Sequence, residues 1–248
     1  MTTNHRIGLA VPSSNTTMET EIPELLRRQQ EHGEQAFTFH SSRARMQEVS
    51  PEELARMDAE SDRCALELSD ARCDVLAYAC LVAIMSMGAG YHCICEERLA
   101  KVTADNGGAA PVVSSAGALL DALTSLGARR TAIVTPYMKP LTDVVAGYIE
   151  DAGIEVADRI SLEVSDNLAV GRLDPAGLPG HARELDLSGV DAVVLSACVQ
   201  MPSLSAVQTV EDELGLPVVT AATATARSIL LALGFNPRIR GAGQLLAG

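Results

Sequence analysis

Three short landmarks occur twice along this chain, in the same order, and no other feature restricts the fold as much. Arg6–Pro12 (RIGLAVP) resembles Arg130–Pro136 (RTAIVTP). Cys73–Cys80 (CDVLAYAC) resembles Val190–Cys198 (VDAVVLSAC), with one extra residue in the second copy. Ala110–Ser115 (APVVSS) resembles Leu216–Ala221 (LPVVTA). Each landmark is an apolar run rich in β-branched residues, and helical periodicity appears at Glu19–Gln29, Ala116–Leu126 and Ala221–Leu233. Strands alternating with helices predict βαβ units, parallel sheets and helices on both sheet faces. Two copies predict an α/β fold of two similar Rossmann-like lobes related by a pseudo-twofold, with the active site in the cleft between them. The crossing falls at Gly127–Arg130. The first lobe is therefore expected over 1–127, the second over 128–234, with about 235–248 returning to the first. Pro51–Ser69 reads as a helix opening on a capping box of Ser50 and Glu53. Tyr137–Ala152 reads as a helix closing at Gly153.

The charge bears on partners. With 19 Lys+Arg against 32 Asp+Glu the net charge is −13, so no basic patch stands ready for nucleic acid or an anionic membrane. The acidic excess is expected on the outer surface, in segments such as Glu52–Asp62 and Glu211–Glu213. The opening MTTNHRIGLAVPSSN has no apolar core of a secretory signal. The uncharged run Val75–Tyr91 is too short and too rich in Ser and Gly to span a bilayer, and reads as a buried strand with the loop and turn after it. The six cysteines form no Cys-x-x-Cys, and Cys93-x-Cys95 is tighter than zinc-ribbon spacing, which points to reduced thiols in a cytoplasm. No His/carboxylate spacing suggests a metal; His5, His32, His40, His92 and His181 all lie in charged or loop contexts. Gly88-Ala-Gly90 is too short for a dinucleotide fingerprint.

Ligands of parallel sheets bind at the carboxyl ends of the strands. Four loops belong there: Pro12–Thr17, Cys80–Met87, Pro136–Pro140 and Cys198–Ser203. Cys80 and Cys198 occupy matching strand ends, so a pseudo-twofold brings them to opposite sides of one cleft. Two facing thiols suggest an acid/base pair acting on opposite faces of a small molecule. Backbone N–H groups after each cysteine, at Leu81, Val82 and Val199, would face an anion there, and a helix starting at that point would lower the thiol pKa. Cys64, Cys73, Cys93 and Cys95 lack this symmetry and read as inert small hydrophobes. Asn15 fits either a helix cap or a ligand contact. Tyr137, directly after Thr135-Pro136, is a donor candidate, and Asn167 by itself reads as a turn residue.

The set Pro12-Ser-Ser-Asn15-Thr, Tyr78-Ala-Cys80, Thr135-Pro-Tyr137, Asn167 and Ser196-Ala-Cys198-Val-Gln-Met-Pro-Ser resembles the maleate cis–trans isomerases of the aspartate/glutamate racemase superfamily. The resemblance runs nearly the whole chain. It implies cofactor-independent conversion of maleate to fumarate. Cys80 would add to the double bond as a thiolate and form a succinyl-cysteine-like intermediate. The bond would then rotate while Cys198 handles the proton. Asn15, Tyr137 and Asn167 would hold the carboxylates. The resemblance further implies a cytoplasmic homodimer associated with nicotinate breakdown. Three rivals remain. An amino-acid or hydantoin racemase would use the same thiol pair for proton exchange alone. An arylmalonate decarboxylase would keep only the second cysteine. A two-lobed small-ligand-binding protein would need no matched thiols.

Overall fold

A computed structural model describes residues 3–31 and 33–247, so His32 lies outside the described residues. The first half runs β1 (Thr3–Pro12), α1 (Met18–Gln30), β2 (Gln35–Ala44), α2 (Pro51–Asp70), β3 (Val75–Tyr78), α3 (Leu81–Met85), α4 (Tyr91–Asp105), β4 (Val112–Ser114) and α5 (Ser115–Ser125). The second runs β5 (Arg130–Thr135), α6 (Lys139–Asp151), β6 (Glu155–Ser161), α7 (Asn167–Val170), α8 (Leu178–Glu184), β7 (Ala192–Ser196), α9 (Leu204–Leu214), β8 (Val218–Thr220) and α10 (Ala221–Ala232). Each half forms a four-stranded, fully parallel sheet, in the orders β2-β1-β3-β4 and β6-β5-β7-β8. The two orders are the same order, which is the repeat expressed as topology. Among the described residues, no helix is long and apolar enough to cross a membrane.

The likeness reaches individual side chains. Asp74, before β3, accepts from the Arg6 N–H at the start of β1 (2.6 Å). Asp191, before β7, accepts from Arg129 N–H (2.9 Å) and Arg130 N–H (3.0 Å) at the start of β5. The third landmark ends in a helix cap in both lobes. Ser114 Oγ accepts from the Gly117 N–H at the head of α5, and Thr220 forms a reciprocal box with Thr223 at the head of α10. Helices α5 and α10 pack on each other, and each also touches the other lobe's last strand.

The landmarks mark three strands per lobe, and the structure adds β2 and β6 at the outer edges. These strands are half exposed and polar, so neither carries the buried apolar run that betrays β3 and β7. Residues 75–91 also differ from expectation. The strand stops at Tyr78, and Leu81–Met85 wind into a short, wholly buried helix rather than a loop. At α2 only half of the capping box forms. Ser50 Oγ accepts from the Glu53 N–H, but the Glu53 carboxylate turns to the N–H groups of Gln47 and Glu48. The Gly153 stop of α6 holds, with φ +84°. Within Glu52–Asp62 the charge is not all outside: Asp58 is buried and accepts from Tyr91 Oη (2.6 Å) and Arg98 (2.8 Å).

Past α10 the chain touches both lobes. Phe235 stacks edge-on against His5 and Phe37, and Gln29 pairs with the backbone of Asn236 and Arg238. Gln244 N–H then donates to Glu211 in the second half (2.7 Å).

Candidate active site

The strand ends of both sheets meet around one small cavity. Pro12 ends β1 and Asn15 comes from the loop after it, Cys80 stands between β3 and α3, Val82 lies in the first turn of α3, and Tyr137 comes from the loop after β5. Asn167 opens α7, and Cys198, Val199 and Gln200 follow β7. Met46 and Val49, between β2 and α2, complete the wall. Its volume is about 10 Å³, close to the minimum that holds one water molecule. No Lys, Arg or His borders the cavity, and among the described residues no group of three or more His, Cys, Asp or Glu is placed to hold a metal ion.

Both expected cysteines therefore reach the same cavity, as do Asn15, Tyr137, Asn167, Val82 and Val199. Leu81 does not border it and is buried in the core. Met46, Val49 and Gln200 also border the cavity, and the repeat does not mark them. The first two sit behind an edge strand without an apolar signature. Gln200 had a usable signal: a polar side chain two residues past a strand-end cysteine.

Burial governs the thiols. It pushes Cys80 up to about 12, against the backbone N–H of Ala83, which favours the thiolate; the nearby Cys198 raises it further. The expected lowering by a helix start is therefore outweighed by desolvation. Burial raises Cys198 as well, but three donors oppose it: the Tyr137 hydroxyl and the N–H groups of Gln200 and Met201. Gln200 N lies 3.3 Å from the Cys198 sulfur. Burial, followed by the two thiols, holds Tyr137 well above the usual phenol range, so it stays a proton donor.

The asparagines are anchored across the lobes. Asn15 Nδ2 donates to the Val199 carbonyl (3.0 Å), and its Oδ1 accepts from Met18 N–H (3.1 Å) at the head of α1. Asn15 is thus a cap and also keeps a second amide hydrogen. Asn167 Nδ2 donates to Ser14 Oγ (2.6 Å), again with one hydrogen left.

Outside the cavity, Glu21 of α1 accepts from Ser203 N–H (2.6 Å) and Leu204 N–H (2.8 Å) at the head of α9. Burial raises its carboxyl above 4.5 despite these donors. A raised folded-state pKa gives a contribution that is full below the ordinary carboxylate range and is lost as pH climbs through the raised value. Glu21→Gln keeps an Oε1 acceptor and cannot ionise. Urea titrations across pH should show the wild type losing stability above about pH 4.5 more steeply than the variant. Equal slopes would contradict this reading of Glu21.

Two matched α/β lobes with one strand-end thiol each, converging on one cavity with neutral polar side chains, define a two-cysteine α/β protein. A family model described as arylmalonate decarboxylase matches residues 7–246. The maleate isomerase of Geobacillus stearothermophilus is 62% identical over 100% of this chain and 99% of its own. The crystal structure of the maleate isomerase of a Pseudomonas putida strain superposes with a TM-score of 0.98 at 57% identity, covering 99% of both chains. A cysteine-to-serine mutant of the Nocardia farcinica maleate cis–trans isomerase, solved with a covalently bound succinylcysteine intermediate, gives 0.95 at 51% identity and 98% of both. The chain belongs to the maleate isomerase family.

Proposed function

We propose that the protein converts maleate to fumarate by covalent catalysis at Cys80, with Cys198 as the proton carrier and no cofactor. The observation that carries this reading is the pair of strand-end thiols, one from each lobe, bordering one small cavity lined with neutral donors. The asymmetry of donors supports the division of labour. Cys198 has three hydrogen-bond donors favouring its thiolate and Cys80 has one. Cys198 takes the Cys80 proton as the Cys80 sulfur bonds to one alkene carbon. The π electrons move to the neighbouring carbon and its carboxylate. The Cys198 thiol gives that carbon its proton, leaving a single bond that rotates. Cys198 then withdraws the proton, the double bond re-forms in the trans arrangement, and the Cys80 sulfur leaves and takes that proton back from Cys198, restoring the starting state.

A dianionic alkene is a poor acceptor for a thiolate unless the developing enediolate is stabilised. The free amide hydrogens of Asn15 and Asn167 and the backbone N–H groups beside the cysteines, at Val82 and Val199, serve that purpose without a cation. They also answer how a chain of net charge −13 holds a dianion: the attraction is local and dipolar. By the same family resemblance, the protein works as a cytoplasmic homodimer in nicotinate breakdown. Its lobes divide as 1–127 with about 235–248, and 128–234; Phe235 joins the first lobe through His5 and Phe37, while Gln244 also reaches Glu211 of the second.

Depletion of maleate with growth of fumarate, followed by proton NMR, tests the reaction. The Tyr137 role has its own test. Tyr137→Phe removes one donor to the Cys198 sulfur and should lower kcat about 10²-fold with a smaller change in KM. Wild-type kcat in this variant would remove Tyr137 from the proposed chemistry.

A further inference from the structure

We propose that Gln200 is the positioning residue of this site, fastening the two asparagine-bearing segments to the strand end that carries Cys198. The proposal rests on the maleate reading above. Gln200 is 3% exposed and borders the cavity. Its Oε1 accepts from the Thr16 N–H (3.1 Å). Its Nε2 donates to the Ser14 carbonyl (3.0 Å) and to the Asn167 carbonyl (3.1 Å). Its own carbonyl accepts from Thr17 Oγ1 (2.7 Å). Both amide hydrogens are used, so none is left to donate to a carboxylate. Gln200 therefore acts through its neighbours, although it lies beside the substrate space. The amide orientation is also determined: a flipped amide would set oxygen against two carbonyls.

The neighbours it holds are the ones that matter. The segment Ser14–Thr17 contains Asn15, from the first lobe. Asn167 belongs to the second. One buried amide thus sets the spacing between the two proposed carboxylate donors and aligns both with the Cys198 loop. The equivalent position after the other cysteine is Val82, an apolar wall residue, so the repeat supplies this fastener on one side only.

Gly171 gives independent access to the same side chain. Its backbone is ordinary (φ −68°), so conformational freedom is not its purpose. A Cβ there would stand 2.5 Å from Gln200 Nε2 and 3.1 Å from its Cδ. Held by three side-chain hydrogen bonds, the amide cannot swing aside without giving one up.

The test uses three variants of the whole protein. Gln200→Glu is nearly isosteric but turns the donor toward Ser14 and Asn167 into an acceptor. Gly171→Ala displaces the amide without changing it. Glu21→Ala breaks a different joint between the lobes, away from the cavity. Gln200→Glu should raise KM for maleate about tenfold or more and lower kcat as well, because both asparagines hold the substrate carboxylates and also the developing enediolate. Gly171→Ala should move KM in the same direction and supplies the result if Gln200→Glu does not fold. Glu21→Ala should lower the melting temperature yet keep KM within about twofold of wild type. Unchanged KM in the two cavity variants, or an equal rise in Glu21→Ala, overturns the proposal. A wild-type protein that leaves maleate untouched removes the underlying reading, and this proposal with it.

Discussion

Replacing Cys80 with serine should cut maleate turnover by about 10³-fold or more in a protein that still folds. The change removes a polarisable sulfur nucleophile and leaves a hydroxyl of nearly the same shape, buried where no strong base stands beside it. Cys80 is the residue that precedes α3, and serine is well suited to that position, so the local backbone keeps its support. Loss of activity would therefore report chemistry rather than collapse, and a circular-dichroism melt close to that of wild type establishes this. Wild-type turnover from Cys80→Ser would mean that no bond forms at this sulfur.

The second large effect belongs to Cys198→Ser, and its signature differs. Serine cannot carry the proton that moves from Cys80 to the substrate carbon and back, so turnover should fall by about 10²–10⁴-fold. Addition at Cys80 must then exchange its protons with water and is slow, but the adduct it forms has lost the base that would release it. Incubation with maleate should leave a protein heavier by one maleic acid in intact-mass measurement, with the modified peptide containing Cys80. Cys80→Ser treated in the same way should gain nothing. The reverse pattern, an adduct at Cys198 in the Cys80 variant, would exchange the two roles. The environments favour the first outcome. Tyr137 and the N–H groups of Gln200 and Met201 surround the Cys198 sulfur with donors, which suits a residue that alternates between thiol and thiolate.

Much of this site could be read before any coordinates. Duplicate apolar runs ending in cysteine place Cys80 and Cys198 at equivalent strand ends, and parallel sheets present those ends to ligands. The repeated Asp74 and Asp191 and the caps Ser114 and Thr220 show that the duplication extends to the hydrogen bonds that start and stop the elements. What escaped has physical causes. Edge strands β2 and β6 are polar and half exposed, so they lack the apolar signature of the buried strands, and Met46 and Val49 were hidden with them. The thiol environment runs opposite to what the strand-end pattern implies. A strand-end helix suggested a lowered pKa, but enclosure of the cavity lets desolvation win, pushing Cys80 to about 12. Gln200 depends on a meeting of three segments far apart in sequence. No local pattern at residue 200 states that its amide will find Ser14, Thr16 and Asn167.

The acidic surface fits this chemistry without assisting it. A negative field slows the encounter with a dianion, and salt softens that field, so kcat/KM should be least favourable at low ionic strength. Recognition belongs to the neutral cavity.

The central claim is most directly tested by proton NMR of the purified protein with maleate, after treatment with chelator and with no cofactor added. The vinyl signal of maleate should decline as that of fumarate grows. Absence of fumarate, together with exchange of the α-proton of aspartate or of a hydantoin in deuterated water, would contradict the account and assign the two thiols to racemisation.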